Sequence, residues 1–477
     1  MQIPKIIQGG MGISISDWYL AKTVSMTGQL GVISGTGLHI TLIARLMDGD
    51  REGNVRRALD NFPFQEPVKK ILDKYFVPYS GKRKTGYKRP QMWGIKPTNS
   101  INELTVIANF VEVFLAKENH KNAVGINFLE KIQLPTLASI YGAMLAGVNY
   151  IFMGAGIPMQ IPAIIEKLSN HEDVNYKLDV TGSSKEDDFR INFEPGKIFP
   201  EIGEKIGNLC KPYFVPIISS VVLAKALLKR ASGKIDGFVI ENSTAGGHNA
   251  PPRSVSAEGK AVYGAKDEVD LQQIKEIGLP FWLAGDYYSH EKFLAAIEQG
   301  AAGVQVGTAF AFCKESGMDP EIRKSIIEKI KKDSIEIVTD FKASPTGFPF
   351  KVVQHSGSVT DKDVYNERCR ICDIGLLRQA YKKEDGEVGF RCSAEPEDAF
   401  ISKGGKAEEL EGTVCLCNNL FATAGMPQIR KDGYTEPPVV TSGDALNSIK
   451  NNFLKGCNEY SASDVIDLIL GKKTKSL

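Results

Sequence analysis

The sequence predicts an α/β protein built on a (β/α)8 TIM barrel. Eight short runs rich in Val, Ile or Phe recur over the first two thirds of the 477-residue chain, and each ends at Gly, Ser or Asn. Runs that are apolar throughout suit strands buried on both faces, as in a parallel sheet. Because helix-like segments separate the eight runs, the order favours a barrel over a doubly wound sheet, which is the alternative fold. The runs cover residues 5–9, 31–34, 123–127, 150–154, 213–219, 237–242, 280–285 and 303–307.

Two of the segments between the strands carry clear signals for helix ends. The segment after the first strand offers Ser16 or Asp17 as the N-cap and closes at Gly28. The segment before the last strand has Ser289 as its N-cap, while Glu291 comes one position too early for a capping box. We therefore expect a capped helix in each place.

Three segments depart from the strand–helix alternation. Residues 38–120 form a long helical insertion after the second strand, and residues 170–211 are polar and predict a hairpin excursion. From about residue 345 the chain becomes rich in Gly, Cys and charged residues. A single core rarely grows beyond roughly 250–300 residues. We therefore expect a barrel domain over residues 1–345 and a Cys-rich C-terminal extension or subdomain over residues 346–477.

The composition excludes several classes of protein. The formal net charge is +1, with 24% charged and 42% hydrophobic residues, so nothing indicates a nucleic-acid partner. No stretch approaches the roughly 18 uninterrupted apolar residues of a membrane span, and the first residues lack the apolar run of a signal peptide. We expect a cytoplasmic protein that acts on a small molecule without a membrane partner.

Polar and glycine residues follow the predicted strands, where a barrel has its active site. Phosphate groups in such barrels often lie in the loops after strands 7 and 8, where Gly285 and Gly307 would let backbone N–H groups approach an anion. Thr308 would add a hydroxyl donor. The alternative is that these glycines only form tight turns between a strand and a helix.

A histidine follows the double glycine after strand 6. Two glycines let a flat ring lie against the backbone, and His248 beside them could bind a substrate or move a proton near neutral pH. The alternative is a histidine in a surface loop. His39 could also face the mouth of the barrel, whereas we expect the other four histidines to be structural or solvated: His120, His171, His290 and His355.

At these positions the sequence resembles the nitronate monooxygenase family, formerly called 2-nitropropane dioxygenases. That family also contains flavin-dependent enoyl-acyl carrier protein reductases. The resemblance begins with IIQGGMGISISDWYLAKTVSMTGQLGVISGTG and continues through VGINF and AGGH. It ends with FWLAGDYYSHEKFLAAIEQGAAGVQVGTAFAFCKES, the longest and most specific of the matching stretches.

The resemblance implies a barrel that binds FMN without a covalent bond, and it assigns roles by motif position. Gly10, Met11 and Gly12 would lie against the flavin ring, Asn127 would be a polar contact, and Gly247 would pack near the cofactor. One phosphate loop would be Ala284, Gly285 and Asp286, and the other Gln305, Val306, Gly307 and Thr308. His248 matches the active-site histidine of the family. The chain departs from the family at Ala284, where relatives often have Gly, and at Gly10, where Pro is usual.

Three functions follow from these observations. The first is an FMN-dependent oxidoreductase that oxidises alkyl nitronates with oxygen. The second is an NAD(P)H-dependent FMN enoyl-thioester reductase, for which the basic loop from Lys82 to Arg89 could hold cofactor or acyl-carrier phosphates. No G-x-G-x-x-G follows a strand, so no nicotinamide site of the Rossmann type is visible. The third is a flavin- or metal-binding regulatory protein without turnover.

The cysteines concentrate near the C-terminus. Six of the eight lie after residue 368, and Cys369 and Cys372 form a C-x2-C pair. Such a pair is a common half-site for zinc or an iron–sulfur cluster, which Cys392, Cys415 and Cys417 could complete. The alternative is reduced, buried cysteine that packs as a small hydrophobic residue.

Overall fold

The computed structural model describes residues 3–81, 83–249, 252–256 and 261–472, and its centre is a closed barrel of eight parallel strands. Each strand coincides with one of the eight predicted runs, so the (β/α)8 fold is confirmed. Ile6 of the first strand pairs with Val304 of the last, which closes the barrel. The strands are β1 (Ile6–Gln8), β2 (Leu30–Ser34), β3 (Val124–Leu129), β4 (Tyr150–Gly154), β5 (Tyr213–Ile218), β6 (Phe238–Glu241), β7 (Phe281–Ala284) and β8 (Gly303–Val306).

The barrel interior is a packed core and not a pore. Alternate residues of the strands point inward and form one apolar cluster, in which Tyr150, Phe152 and Trp282 are the bulkiest members. The indole of Trp282 is fully buried, and its Nε1 donates to the carbonyl of Pro4 at 2.7 Å. Because these rings fill the barrel, a ligand must bind at the strand ends.

Helices surround the barrel, and both predicted N-caps are confirmed. Asp17 accepts from the backbone N–H groups of Tyr19 and Leu20, and Ser289 accepts from that of Lys292. The α-helices are Trp18–Met26, Leu38–Met47, Asn54–Asp60, Gln65–Tyr75, Asn99–Lys117, Thr136–Leu145, Ile161–Ser169, Pro195–Ile198, Ile202–Ile206, Val221–Arg230, Leu271–Glu276, His290–Glu298, Thr308–Ala311, Pro320–Lys331, Lys362–Glu367, Glu397–Ser402, Leu416–Thr423, Ile449–Phe453 and Ala462–Ile469. Short 3-10 helices cover Ala265–Asp267, Ala407–Glu409 and Asp444–Ser448. Within the described residues, no helix combines the length and the apolar character needed to cross a membrane.

The predicted insertion between β2 and β3 is helical. Four helices lie within the described part of residues 38–120, and the last of them, Asn99–Lys117, packs against the helices Trp18–Met26 and Thr136–Leu145. That helix therefore occupies the place of an ordinary barrel helix. The polar excursion contains the predicted hairpin, in which Val174–Lys177 pairs with Arg190–Phe193. Two further small hairpins join Ser254–Val255 to Ala261–Val262 and Gln379–Lys382 to Val388–Arg391.

The C-terminal segment packs on the barrel mouth. Its strand Phe350–Val353 lies between Ile337–Asp340 and the short strand Gly247–His248, and both pairings are antiparallel. Apolar residues of this segment, such as Leu416, belong to the same core cluster as the barrel helices. The core cluster contains residues from both sides of residue 345. A domain boundary at that residue stays a prediction.

Candidate active site

A cleft lies at the carboxyl ends of the strands, between the barrel and the C-terminal segment. Its volume is about 1380 Å³, open solvent included. Chain segments far apart in sequence line it, and nine of the residues predicted for the site are among them: Gly10, Met11, Gly12, Asn127, Gly247, His248, Gln305, Gly307 and Thr308.

The loop after β1 presents bare backbone to the cleft. A Cβ atom at Gly10 would lie 2.5 Å from the Cβ of Asn127 and 3.2 Å from the carbonyl oxygen of Ile33, so a side chain has no room there. Gly12 has a φ of +57°, a conformation that favours glycine. The Oδ1 atom of Asn127 is buried and has no hydrogen-bond partner among the described residues, while its Nδ2 lies 3.5 Å from the carbonyl oxygen of Gly10. Since buried acceptors are rarely left unpaired, Asn127 offers an acceptor to a ligand.

Two buried polar side chains that sequence reasoning missed fix this loop. The hydroxyl of Ser16 accepts from the N–H of Met11 at 2.9 Å and donates to the carbonyl of Gly9 at 3.0 Å. The amide of Gln8 donates to the same hydroxyl at 2.9 Å and accepts from the N–H of Val32 at 3.1 Å. The feature of the sequence that could have indicated this role is a glutamine at the end of an otherwise apolar strand.

His248 is held in its place by neighbours on both sides. Its short strand pairs with Phe350, whose ring lies 4.8 Å away in an edge-on arrangement, and its Nε2 lies 2.7 Å from the hydroxyl of Ser344. Burial lowers the pKa of His248 to about 4, and the positive charge of Lys131 acts in the same direction. The imidazole is therefore neutral at physiological pH and serves as a hydrogen-bonding group without charge.

Glu241 is a cleft residue that the sequence reasoning did not assign to the site. It ends β6 and lines the cleft. Burial raises the pKa of Glu241 to about 7, while the charge of Lys351 acts to lower it. The ammonium of Lys351 is itself buried and donates to the carbonyl of Ser243 at 2.6 Å and to Asp444 at 2.7 Å. The signal in the sequence was an acidic residue at the end of an apolar run.

The loop after β7 does not line the cleft, although Ala284, Gly285 and Asp286 were predicted to form a phosphate site. Gly285 has a φ of +137°, and a Cβ atom there would lie 2.0 Å from the Oδ1 of Asn242. The N–H of Asp286 donates to the hydroxyl of Thr244 at 2.8 Å. Tight packing against the turn after β6 thus explains why residue 285 is a glycine, as the alternative of a tight turn between strand and helix predicts. The phosphate role of this loop stays a prediction.

The loop after β8 meets a part of the chain that sequence reasoning did not connect with the site. The N–H of Gly443 donates to the hydroxyl of Thr308 at 2.9 Å, and the N–H of Gly247 donates to the hydroxyl of Thr441 at 3.0 Å. Thr441, Ser442 and Gly443 all line the cleft, whereas Val306 is buried in β8 and does not. A polar Thr-Ser-Gly that follows two buried valines was the available signal.

The C-terminal segment also gives the cleft an apolar wall. Aliphatic side chains from three places in residues 376–439 line it. Because these side chains carry no hydrogen-bonding groups, this wall suits an apolar part of a ligand. The residues are Leu376, Leu377, Leu416, Leu420 and Val439.

Four of the C-terminal cysteines gather around a second, small cavity beside the cleft: Cys372, Cys392, Cys415 and Cys417. Burial raises the pKa of each of these thiols. All eight cysteines lie in the described residues as free thiols, and no group of three or more His, Cys, Asp or Glu side chains described there is arranged to hold a metal ion. The suggested zinc or iron–sulfur centre, which also included Cys369, thus has no support among these residues. Cys392 and Cys417 are buried, as the alternative of a small hydrophobic residue within a core requires.

The basic loop is anchored to the protein. Arg83 pairs with Asp48 at 3.1 Å, and Arg89 pairs with Asp373 at 3.0 Å and donates to Asn418 at 2.8 Å. Both guanidinium groups are therefore engaged in contacts inside the fold, and the phosphate role of this loop stays a prediction. Lys82, where the predicted loop begins, lies outside the described residues.

The other histidines lie away from the cleft. His39 is buried beside a separate small cavity, where burial lowers its pKa to about 4. The side chains of His120, His171 and His290 hydrogen-bond to nearby groups of the fold, which agrees with the expected structural roles.

Similarity to known proteins agrees with this geometry. The family model for nitronate monooxygenase matches residues 191–362. A probable nitronate monooxygenase of Bacillus subtilis is 32% identical over 110 residues, which cover 23% of this chain and 30% of that protein. The resemblance to the nitronate monooxygenase family is confirmed.

Other relatives of this nitronate monooxygenase-like chain carry different names. A (3aS,4S,5R,7aS)-5-hydroxy-7a-methyl-1-oxo-octahydro-1H-indene-4-carboxyl-CoA dehydrogenase of Mycobacterium tuberculosis is 23% identical over 54% of this chain and 67% of that protein. The solved structure of FabK from Thermotoga maritima aligns with 98% of this chain and 92% of its own, with a TM-score of 0.45 and 15% identity. The names of the enzymes matched by sequence, monooxygenase and dehydrogenase, are those of oxidoreductases.

The cleft residues fit a flavin, the cofactor that the resemblance implies. The Oδ1 of Asn127, which has no partner among the described residues, leaves an acceptor, and the backbone of Gly10 lines the cleft beside it. A Cβ atom at Gly247, whose φ is +76°, would meet open space within 4 Å. Planar rings bind against such bare backbone.

Proposed function

We propose that this chain is an FMN-dependent oxidoreductase of the nitronate monooxygenase type, which oxidises alkyl nitronates with oxygen. The supporting observation is that three loops from different strand ends, Gly10–Gly12, Gly247–His248 and Gln305–Thr308, converge on one cleft. The family resemblance assigns cofactor and substrate contacts to these three loops and also to the loop after β7, which does not line the cleft.

The residues of this chain would divide the work between cofactor and substrate. The backbone at Gly10 and Gly12 and the Oδ1 of Asn127 would bind the flavin, which when bound supplies the electron transfer and the reaction with oxygen. Thr308 lines the same cleft from the end of β8. A nitronate is already an anion, so its oxidation requires no base. The neutral imidazole of His248 would therefore orient the substrate by a hydrogen bond.

Flavin content and anaerobic reduction test the proposal. We expect the purified protein to be yellow, and we expect propionate 3-nitronate to bleach its flavin without oxygen and without NAD(P)H. Aerobic turnover should then consume oxygen. A colourless protein that FMN does not reconstitute would refute the proposal.

The apolar wall favours a second candidate, an NAD(P)H-dependent FMN enoyl-thioester reductase. Leu376, Leu416 and Val439 would contact an acyl chain, for which a small nitronate has no equivalent. One relative is named as acting on a carboxyl-CoA compound, which is also a thioester. Bleaching by NAD(P)H alone would identify this activity. A bound flavin that neither reagent reduces would favour the regulatory protein without turnover.

A further inference from the structure

One ring nitrogen of His248 is engaged outside the cleft. His248 itself lines the cleft, but its Nε2 lies 2.7 Å from the hydroxyl of Ser344, a residue that does not line it. The Ser344 side chain is buried, so this contact is shielded from bulk water. In the described part of the chain, the other ring nitrogen, Nδ1, forms no hydrogen bond. Nδ1 is therefore the atom through which His248 can meet a ligand.

A second hydroxyl group lies behind Ser344. The Oγ1 of Thr346 is 2.7 Å from the Ser344 hydroxyl and 3.5 Å from the Nε2 of His248. The backbone N–H of Thr346 also donates to the Ser344 hydroxyl, at 3.3 Å, while Oγ1 of Thr346 accepts from the N–H of Phe348 at 3.4 Å. A hydroxyl has one hydrogen and two acceptor positions. When Thr346 fills both acceptor positions of Ser344, the hydrogen of Ser344 points to the Nε2 of His248.

The chain repeats this arrangement at Ser358 and Thr360, where its polarity is fixed. The two hydroxyls are again 2.7 Å apart, and the N–H of Thr360 again donates to the Ser358 hydroxyl at 3.3 Å. The third partner in this copy is the backbone carbonyl of His355, to which the Ser358 hydroxyl donates at 2.7 Å. A carbonyl can only accept, so this serine donates outward. The same polarity at Ser344 makes the Nε2 of His248 an acceptor.

We propose that Ser344 is a positioning residue, which fixes His248 as the tautomer that carries its proton on Nδ1. A neutral imidazole has one N–H, so an Nε2 that accepts from Ser344 leaves that N–H on Nδ1. Ser344, with Thr346 behind it, thereby decides that His248 offers the cleft a donor and not a lone pair. Neither hydroxyl touches the ligand, and both act through the ring of His248.

The inference rests on the proposed function, because it gives the neutral His248 a way to bind an anion. The oxygens of a nitronate accept hydrogen bonds and have no hydrogen to donate. An N–H on Nδ1 suits such a substrate, whereas the opposite tautomer would present a lone pair to a negative charge. The Ser344 hydroxyl therefore selects for a ligand that carries an acceptor at this point of the cleft.

Nitrogen NMR of the histidine rings tests the tautomer directly. We would label the protein with ¹⁵N-histidine and record long-range ¹H–¹⁵N correlation spectra of the protein as purified, near neutral pH. Such spectra separate protonated from unprotonated ring nitrogens and Nδ1 from Nε2, and the signals that vanish in His248→Ala are those of His248. We expect its Nδ1 to be protonated and its Nε2 unprotonated. The opposite pattern in the wild type would overturn the inference.

Two matched double variants test the role of the hydroxyl pair. Ser344→Ala with Thr346→Val removes both hydroxyls near Nε2, whereas Ser358→Ala with Thr360→Val removes the equivalent pair, which does not line the cleft. The first variant should shift the proton of His248 toward Nε2, the nitrogen that free histidine prefers. The second should keep the wild-type signals of His248. An unchanged tautomer in the first variant, or an equal shift in both, would overturn the inference.

Kinetics with propionate 3-nitronate show whether the pair acts through His248. The Ser344→Ala, Thr346→Val variant should raise KM about 2- to 13-fold, the effect of one lost hydrogen bond. The kcat should change little, because a bond made equally in the ground state and the transition state affects KM alone. In a His248→Ala background the same two substitutions should change KM by less than about twofold. A full additional loss there would overturn the inference.

Failure of this inference is distinguishable from failure of the proposed function. The NMR measurement needs neither substrate nor flavin, so a protein that does not turn over the nitronate refutes only the proposed function. A wild type with its proton on Nε2 refutes only the role of Ser344. If the first double variant does not fold, the wild-type spectrum alone decides.

Discussion

Replacing Gly10 by alanine should weaken FMN binding while the barrel stays folded. The new Cβ atom would lie 2.5 Å from the Cβ of Asn127, whereas carbon atoms in contact are about 3.5 Å apart, so Asn127 must move by about 1 Å. The new atom would also lie 3.2 Å from the carbonyl oxygen of Ile33, a tight contact with backbone. Overpacking of this kind costs about 1–3 kcal/mol. If the cost falls on binding, the Kd for FMN rises about 5- to 150-fold.

Quenching of FMN fluorescence on binding would give the Kd, and the adjacent glycine supplies the control. A Cβ atom at Gly9 would lie 3.4 Å from the Cγ of Gln305, which is an ordinary contact. Gly9→Ala should therefore bind FMN nearly as the wild type does. Unchanged affinity in Gly10→Ala, or equal losses in both variants, would refute the steric reasoning and with it the assignment of this loop to the flavin.

Three further predictions concern the polar groups of the cleft. His248→Ala should lower kcat/KM for the nitronate by about 10- to 150-fold through loss of a hydrogen bond to a charged group. Burial lowers the pKa of His248 to about 4, so the imidazole should stay neutral over the working pH range. A wild-type pH profile of kcat/KM with an inflection near 6.5 that vanishes in this variant would contradict the neutral role. Lys351→Met should lower the free energy of unfolding by about 1–3 kcal/mol because the carbonyl of Ser243 loses its donor. Asp444→Asn, at a half-exposed site, should lower it by less than about 1 kcal/mol. Urea unfolding midpoints of the two variants would show this difference, and equal losses would contradict it. The pKa of Glu241 is raised from 4.5 to about 7, so the folded protein binds more protons than the unfolded chain in that window, and the free energy of unfolding should fall as pH rises through it. Urea unfolding at several pH values should show this slope flattened in Glu241→Gln, and equal slopes in the two proteins would count against it.

The strands and helix ends were predictable because their causes are local. An apolar run of four to seven residues defines a buried strand through its own side chains, and Asp17 and Ser289 cap helices that begin at the next residue. The nine site residues that line the cleft were predicted from the strand ends together with the family resemblance: seven of them follow a strand, while Asn127 and Gln305 lie within β3 and β8.

The loop after β7 shows where this local reasoning stops. The sequence Ala284-Gly285-Asp286 permits either a phosphate site or a tight turn, and in the structure the turn packs against Asn242 and Thr244. That packing depends on two loops from different strands. Their relative position is a property of the closed barrel and is not encoded in either loop alone.

By itself, the sequence determined the eight strands, their order and the set of loops at one mouth, because period and composition act over a few residues. Only the tertiary structure decided which groups close the cleft and which of them titrate. Gly443 meets Thr308, and Lys351 meets Ser243, across about a hundred residues of chain or more. Such contacts set the burial that keeps His248 neutral and brings Glu241 near its titration point at physiological pH. Burial and the pairing of charges are sums over the whole fold, so no short stretch of sequence contains them.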